Sequence, residues 1–405
     1  NSSTTGSTVT PGTITANGDP TASTDSPFDD PKGYKFGEGG DQNLIKCGSY
    51  VASGSAGLEI NLGFEPQWVM VKKTSNTSNW LMVDNMRGWA GESTDERFIA
   101  NGSNEEYEGA RLQISSTGFI CNTTDDDVNW PSGESYIYMA LRRPDGYVGK
   151  PPELGTDVFG LGTRSGSSSN ALSNVNVFTD FSIIKRYNNG GEYWAANARF
   201  MGKNTLKPSA TDAENTGALP TSGAIWDHML GHLVAASNGA TNTGSDIIDY
   251  GWKRHAGFDV VAYDGNSSSN RVLSHSLNAV PQMIWYKRRN TPTDFWGVGV
   301  NFTSSAYDLL LLNSSQAANN LAYTTRFVSQ PTATSFEINQ DSNINGTGGV
   351  YIAFLFASVS GISKVGSYTG NGTDTTTGDQ TITFGFAPRF VIIKSTAANT
   401  GWVVL

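Results

Sequence analysis

The sequence predicts an all-β protein made of tandem β-sandwich units of the jelly-roll type, each roughly 100 residues long. The first observation is compositional: only 16% of the 405 residues are charged, 11% are aromatic, and 46 are glycines. This balance is typical of short strands joined by turns, not of helices. The second observation is a strand motif that returns along the chain at near-constant spacing.

The motif is an apolar strand that ends in a lysine and is followed, after a polar turn, by a tryptophan. Its copies are PQWVMVK at 66–72, TDFSIIK at 179–185, PQMIWYK at 281–287 and PRFVIIK at 388–394. The tryptophans that follow them are Trp80, Trp194, Trp296 and Trp402. In the first copy Trp68 and Met70 alternate with Val69 and Val71, so both faces of the strand are apolar. This pattern predicts a strand that is covered on both sides, with a hairpin returning the tryptophan beside it.

The motif spacing divides the chain into four units behind an N-terminal arm. We place boundaries near Asn43, Pro152, His255 and Gly361. The resulting segments are the arm 1–43, unit 1 at 44–152, the degenerate unit 2 at 153–255, unit 3 at 256–361 and the incomplete unit 4 at 362–405. The arm is rich in Ser, Thr, Gly and Pro, so we expect it to lie along a neighbouring subunit. Unit 4 stops after its tryptophan, so we expect the chain to continue or a partner to supply strands.

Charge and hydropathy argue against two classes of partner. The formal net charge is −10 and basic residues occur as pairs such as Arg142–Arg143, which is a poor pattern for gripping a phosphate backbone. The longest apolar stretch, VYIAFLFASV at 350–359, is too short to span a bilayer as a helix. We therefore expect neither nucleic-acid binding nor membrane insertion, and we interpret 350–359 as a buried strand.

Two local patterns suggest metal ligands at first sight. His228 and His232 have an HxxxH spacing, but Met229 stands where zinc hydrolases place a glutamate. A calcium-loop-like segment opens at Asp341 and fails at its bidentate position, which is Ile352. We interpret the first as part of a strand and the second as a turn, and we predict no metal and no cofactor.

Other acidic groups leave one alternative open. The run Asp125, Asp126 and Asp127 is either a solvated turn or a weak cation site held by a loop. The pairs Asp95/Glu96 and Glu105/Glu106 lie in a polar stretch that does not recur in the other units, so solvated loops are the favoured interpretation. The sequence contains no nucleophile elbow, phosphate-binding loop or dinucleotide turn, and we predict no catalytic residue.

The two cysteines, Cys47 and Cys121, both fall in unit 1. So sparse a thiol content is not a disulfide framework, and small buried hydrophobic residues explain it without a bridge, although a bridge stays open.

The repeated lysine and tryptophan allow two interpretations. In the favoured one the indole packs on its hairpin while the lysine stem lies along the ring with its charge outward. In the other, Trp80, Trp194, Trp296 and Trp402 are exposed and form a platform on which sugars stack. Burial of the four side chains decides between them.

Several segments resemble a known family. GFEPQWVMVK at 63–72, YIYMALRRPDGYVGKP at 136–151 and GWKRHAGFDVVAYDG at 251–265 are similar to a repeat of virion structural and tail-fibre-like proteins of marine bacteriophages, often described as concanavalin-like sandwiches. The resemblance covers about residues 36–405 and departs in unit 2, where Thr179 replaces the proline of the motif. The family supplies no catalytic residues that could be carried over.

The resemblance implies a non-enzymatic virion protein, a tail fibre or other projecting appendage that contributes to host attachment. Its location would then be the extracellular particle. Its partners would be further copies of itself in a homo-oligomer, expected as a trimer, and other virion proteins, with a host-surface glycan as a further candidate. The alternatives are a glycan-binding adhesin or receptor-binding module, and a polysaccharide depolymerase, which would need two carboxylates at glycosidase spacing.

Overall fold

A computed structural model confirms the all-β prediction, with 40% of residues in strands and 3% in helices. The structure describes residues 45–90, 95–143, 152–167, 169–188, 190–215, 218–220, 225–235, 246–372, 380–397 and 399–405. The predicted N-terminal arm and the boundary at Asn43 lie outside the described residues. Among the described residues, no helix has the length and apolar character needed to cross a membrane.

Unit 1 is a sandwich of a six-stranded and a three-stranded antiparallel sheet. Its strands are β1 (Ile45–Val51), β2 (Leu58–Asn61), β3 (Pro66–Lys73), β4 (Trp80–Asp84), β5 (Glu96–Ile99), β6 (Tyr107–Glu108), β7 (Leu112–Ser115), β8 (Gly118–Cys121) and β9 (Ser135–Arg142). The large sheet, which we call sheet A, has the order β1-β9-β3-β4-β5-β6, and the small sheet is β2-β8-β7. Val69, Val71 and Phe119 fill the space between them and are completely buried.

Unit 2 has a smaller sheet and two short 3₁₀ turns, at Gly155–Asp157 and Arg199–Met201. Its strands are β10 (Phe159–Ser165), β11 (Ala171–Leu172), β12 (Phe181–Arg186), β13 (Ala195–Ala198), β14 (Leu233–Val234) and β15 (Asp246–Trp252). Sheet B has the order β10-β15-β12-β13, and β11 pairs with β14.

Unit 3 again has a six-stranded sheet, and a two-stranded ribbon faces it. Its strands are β16 (Phe258–Asp264), β17 (Arg271–Ser274), β18 (Met283–Arg288), β19 (Gly297–Val300), β20 (Ala306–Leu311), β21 (Asn319–Ala322), β22 (Ser335–Ile338) and β23 (Val350–Phe356). Sheet C has the order β16-β23-β18-β19-β20-β21, β17 pairs with β22, and one helical turn, α1, spans Ser342–Asn345. In unit 4, β24 (Ile392–Ile393) and β25 (Val403–Val404) form a hairpin, which we call hairpin D.

The three large sheets share one strand order around the repeated lysine. In each, the lysine-ending strand lies between the closing strand of the unit and the strand that begins at or just after the repeated tryptophan. An interior tyrosine pair also recurs in two units: Tyr50 stacks on Tyr136 at 5.2 Å between ring centroids, and Tyr263 stacks on Tyr351 at 5.3 Å. The strand that we expected at 350–359 is β23, and Tyr351 to Leu355 are completely buried.

Sheets B and C pack against each other through their outer faces, the faces turned away from their own sandwich interiors. Phe181 of sheet B lies 4.3 Å from Phe354 and 5.8 Å from Phe258 of sheet C, measured between ring centroids. A lysine-ending strand is therefore covered on both sides in sheet C, where Ile284 and Trp285 are both buried. The prediction of cover on both sides is wrong for the strand in sheet A, where Val69 is completely buried but Trp68 and Met70 are half-exposed, because no second sheet of the described residues lies on that side.

We predict that Phe181→Ala lowers the free energy of unfolding by about 3–5 kcal/mol, because it leaves a cavity between two buried faces. Urea denaturation followed by circular dichroism measures the loss. Tyr187→Ala is the matched control, since that ring is 60% exposed. Equal losses in the two variants would contradict the packing of sheet B on sheet C.

Candidate functional site

The repeated tryptophans lie at or near the contacts between neighbouring units, which we call seams. Their burial differs. Trp296 is completely buried, whereas Trp80, Trp194 and Trp402 are half-exposed. The Trp296 indole N–H donates to the carbonyl oxygen of Lys207 at 3.0 Å, and that of Trp402 donates to the carbonyl of Leu311 at 2.9 Å. In both cases the acceptor belongs to the preceding unit. Burial removes Trp296 from any exposed platform for sugars.

The repeated lysines hold the same seams. Lys287 Nζ donates to the carbonyl oxygens of Asp294 in its own turn at 2.9 Å and of Thr211 in unit 2 at 3.1 Å. Lys394 Nζ donates across the next seam to the carbonyl of Ser315 at 3.1 Å. Burial lowers the pKa of Lys287 to about 8. The expectation of an outward lysine charge is wrong for Lys287, because backbone carbonyls replace water around a completely buried ammonium group.

In unit 2 the repeated lysine and tryptophan stack as expected, but the lysine charge faces the ring and is not turned outward. Lys185 Nζ lies 5.8 Å from the centroid of the Trp194 ring and donates to the carbonyl oxygen of Glu192. The lysine thus fastens its own hairpin while its charge faces the indole.

A buried ionic junction joins the first three units around Arg254, which is 3% exposed. Its guanidinium donates to both carboxylate oxygens of Glu65 in unit 1, and its Nε donates to Asp259 of unit 3 at 2.5 Å. Its backbone N–H donates to Asp180 of unit 2 at 2.8 Å. Separating one partner from such a buried pair leaves the other charge buried and unpaired, which typically costs about 3–5 kcal/mol. The junction therefore disfavours any other arrangement of the three units.

Asp180 is the second centre of this junction. Its carboxylate lies 3.2 Å from Arg143 of unit 1 and 3.4 Å from Arg199 of its own unit, and all three side chains are buried. Arg199 also donates to the carbonyl oxygens of Trp226 and Thr179, each at 2.9 Å. The available sequence signal was that Arg143 and Arg254 follow the closing strands of units 1 and 2 at matching positions, in LRR and WKR.

The acidic loop of unit 1 forms a third polar contact, with unit 2. Lys203 Nζ lies 3.1 Å from Glu96 and also pairs with Glu108, while Arg87 Nε lies 2.5 Å from Glu106. Burial, helped by the neighbouring Glu106, raises the pKa of Glu96. Glu96 therefore contacts unit 2, and the prediction of a solvated loop is wrong for this residue. Glu106 pairs with Arg87 within unit 1, and Glu105 is exposed, as a solvated loop predicts.

A pocket of about 430 Å³ opens between units 1 and 3 beside the Arg254 junction. Polar and apolar atoms contribute about equally to its lining, and the polar residues there include Glu65, Thr117, Arg142, His275 and Ser276. The Arg142 guanidinium carbon lies 5.8 Å from the ring centroid of Phe64, and the His275 Nδ1 accepts from the Leu277 N–H at 3.2 Å. Hydroxyl, guanidinium and imidazole groups of this kind can hydrogen-bond a small polar molecule.

His232 is a core residue. It is completely buried, its two ring nitrogens lie 3.2 Å from the Ser173 hydroxyl and 3.1 Å from the Ser182 hydroxyl, and its ring stacks on Trp226 at 4.8 Å. It directly precedes β14, as expected for a strand rather than a helix, while His228 is half-exposed. Burial lowers the pKa of His232 to about 3, so the imidazole is neutral.

The acidic loops are engaged in turn contacts. Asp126 accepts from Lys73 Nζ at 2.7 Å, Asp125 pairs with Arg111 at 2.8 Å, and Asp127 accepts from the Asn79 N–H at 3.2 Å. Asp341 caps α1, accepting from the Asn343 N–H at 2.8 Å, which is the turn that we expected there. Within the described part of the chain, no three His, Cys, Asp or Glu side chains gather in a group that could hold a metal ion.

The two cysteines are unbridged, and they occupy different environments. Cys121 lies in the unit 1 interior, where its Sγ is 3.8 Å from the Tyr50 hydroxyl, and burial raises its pKa to about 12. Cys47 is exposed on the outer face of the edge strand β1. The prediction of a small buried residue is thus confirmed for Cys121 and wrong for Cys47.

We predict that acid destabilises the protein through His232. Its pKa is about 3 in the folded chain and near 6.5 when unfolded, so the unfolded state binds the extra proton first. The free energy of unfolding should fall as pH drops from 6.5 towards 3, with a contribution from this residue of about 1.4 kcal/mol per pH unit. His232→Gln should remove that part of the slope in urea titrations between pH 6 and pH 4. An unchanged slope would contradict a buried neutral imidazole.

Comparison with known proteins gives one family. The domain of unknown function DUF7483 matches residues 7–143 and 155–405. No curated protein and no solved structure matches the chain. Since the match covers most of its length, the chain belongs to the DUF7483 family.

Proposed function

We propose that this protein is a non-enzymatic structural component of a bacteriophage virion, a tail fibre or other projecting appendage that contributes to host attachment. The observation that carries the proposal is the use of the recurring side chains. Lys287, Lys394, Trp296 and Trp402, which the repeat motif singles out, all donate hydrogen bonds across seams between units. Hydrogen bonds that join neighbouring units in this way suit a projecting assembly that has to resist mechanical force.

The interior supports the same interpretation. One apolar cluster runs without a break through buried residues of units 1, 2 and 3, and side chains of unit 4 pack against it. The Arg254 junction adds buried ion pairs between three units. Units that share a core in this way resist separation, which suits a projecting particle component. The resemblance of the 136–151 and 251–265 segments to virion proteins is the reason for proposing that the particle is a bacteriophage virion.

Glycan recognition is the second candidate function. It is favoured by the half-exposed rings of Trp80 and Trp194 and by the pocket between units 1 and 3. Aromatic faces and hydroxyl-rich pockets are suited to sugars. In this form the protein would attach the particle to a host-surface polysaccharide, so the two roles are compatible.

The virion assignment predicts that the protein co-purifies with particles. Particles of the phage that encodes this chain, purified on a density gradient and analysed by mass spectrometry, should contain peptides from all four units at a constant ratio to the capsid protein. Antibody raised against the chain should label a projecting structure in electron micrographs. Detection only in the host-cell fraction, with none in the particles, would refute the proposal.

A further inference from the structure

A row of five cross-strand neighbours recurs on the outer faces of sheets A, B and C. The rows can be aligned from sheet to sheet because an isoleucine lies opposite the repeated lysine in each one. Ile137 pairs with Lys72, Ile248 with Lys185 and Ile352 with Lys287. In sheet C the row is Val260, Phe354, Trp285, Val298 and Leu310. In sheet B it is Leu161, Tyr250, Ile183, Ala196 and Leu206. In sheet A it is Cys47, Met139, Met70, Met82 and Phe98.

Two of these rows are covered by other parts of the chain. Every residue of the sheet C row is at most 3% exposed, because sheet B lies on it. On sheet B, Tyr250 is additionally covered by hairpin D, whose Phe390 ring lies 5.2 Å from it between centroids. Within this protein, then, the outer face of a large sheet is a surface on which another sheet of the same kind packs.

The sheet A row is apolar, and within the described part of the chain no second sheet lies on it. Cys47 is exposed and the other four side chains are half-exposed. Ile137 is 40% exposed, whereas its counterpart Ile352 is completely buried. We call Ile45, Cys47, Met70, Met82, Ile137 and Met139 the sheet A outer face. Contiguous exposed apolar side chains mark interaction surfaces, and methionines adapt their shape to a partner.

The lysine-tryptophan hairpin beside this face is also open. In units 3 and 4 the repeated tryptophan donates to a carbonyl of a different unit, at Lys207 and Leu311. Among the described residues, Lys72 instead donates to its own turn, at Asn76, and Trp80 makes no hydrogen bond to another unit through its indole N–H. Lys72 and Trp80 face each other across β3 and β4 on the same side of the sheet as Met70 and Met82. The hairpins of units 1 and 2 therefore keep their lysine donors within their own unit, and the hairpin of unit 1 lies beside the sheet A outer face.

We propose that the sheet A outer face binds the same face of a second copy of this chain. The choice of partner follows from the contact between sheets B and C. Their corresponding outer faces each pack against another sheet of the same kind, and a second copy of the chain offers such a sheet to sheet A. Pairing with itself places the methionine row of each copy against that of the other, in an isologous contact that does not depend on the virion assignment. The Trp80 hairpins would then reach the carbonyls of the opposing copy.

The test is the oligomeric state of the full chain, measured by analytical ultracentrifugation. The wild type should be an oligomer, and Ile137→Lys should weaken the association at least about 100-fold, because it places a second lysine directly opposite Lys72 within the contact. Val272→Lys is the matched control, because Val272 is 61% exposed on β17, away from this face. Circular dichroism melts verify that both variants fold, which the exposure of the two sites favours.

Thiol labelling reports on the same face independently. Cys47 is the exposed thiol and Cys121 is buried, so a maleimide reagent reads out Cys47 in the folded chain. Labelling of the wild type should slow as the protein concentration rises, and it should be fast at all concentrations in Ile137→Lys. A monomeric wild type would overturn the proposal, whether Cys47 reacts freely or is shielded by another segment of its own chain. So would an oligomer that Ile137→Lys leaves intact.

Discussion

The face-to-face burial of sheets B and C is the contact on which the arrangement of the whole chain depends. Phe181 meets Phe354 and Phe258 there, and the apolar side chains on both sheets are taken out of water. A sheet that is apolar on both faces cannot stand alone as a sandwich, because one sandwich covers only its inner face. The sequence of β18, with Ile284 and Trp285 pointing to opposite sides, therefore requires a second unit.

Polar groups fix the position of the units once the apolar faces have brought them together. Apolar contact tolerates sliding, whereas Arg254 satisfies carboxylates from three units only in one arrangement. The carbonyls that accept from Lys287 and Trp296 act in the same way, since a buried ammonium or indole N–H needs a partner at a defined distance. Burial thus holds the units together, and the buried charges determine their register.

Local features of this organisation were predictable from the sequence, because they depend on neighbours along the chain. The alternation in PQWVMVK predicted a strand, and the following turn predicted the hairpin that returns Trp80 beside Lys72. The position of His232 directly before strand β14, and not on a helix, followed from comparing the units. The seams were not predictable, since Arg254 and Glu65 lie 189 positions apart and no periodicity connects them. The prediction that Cys47 is buried was wrong for a related reason. Aligned positions share a strand but not the residues packed on it, and none of the described sheets covers sheet A in the way that sheet B covers Val260.

The central claim, that the units form one body through shared seams, is tested most directly by hydrogen exchange during urea unfolding. Mass spectrometry can follow the amides of β3, β12 and β18 separately in the same sample. If the seams join the units, the three strands lose their protection at one urea concentration, as a single cooperative transition. Three transitions at well-separated urea concentrations would contradict the account, because units that unfold alone do not share a core.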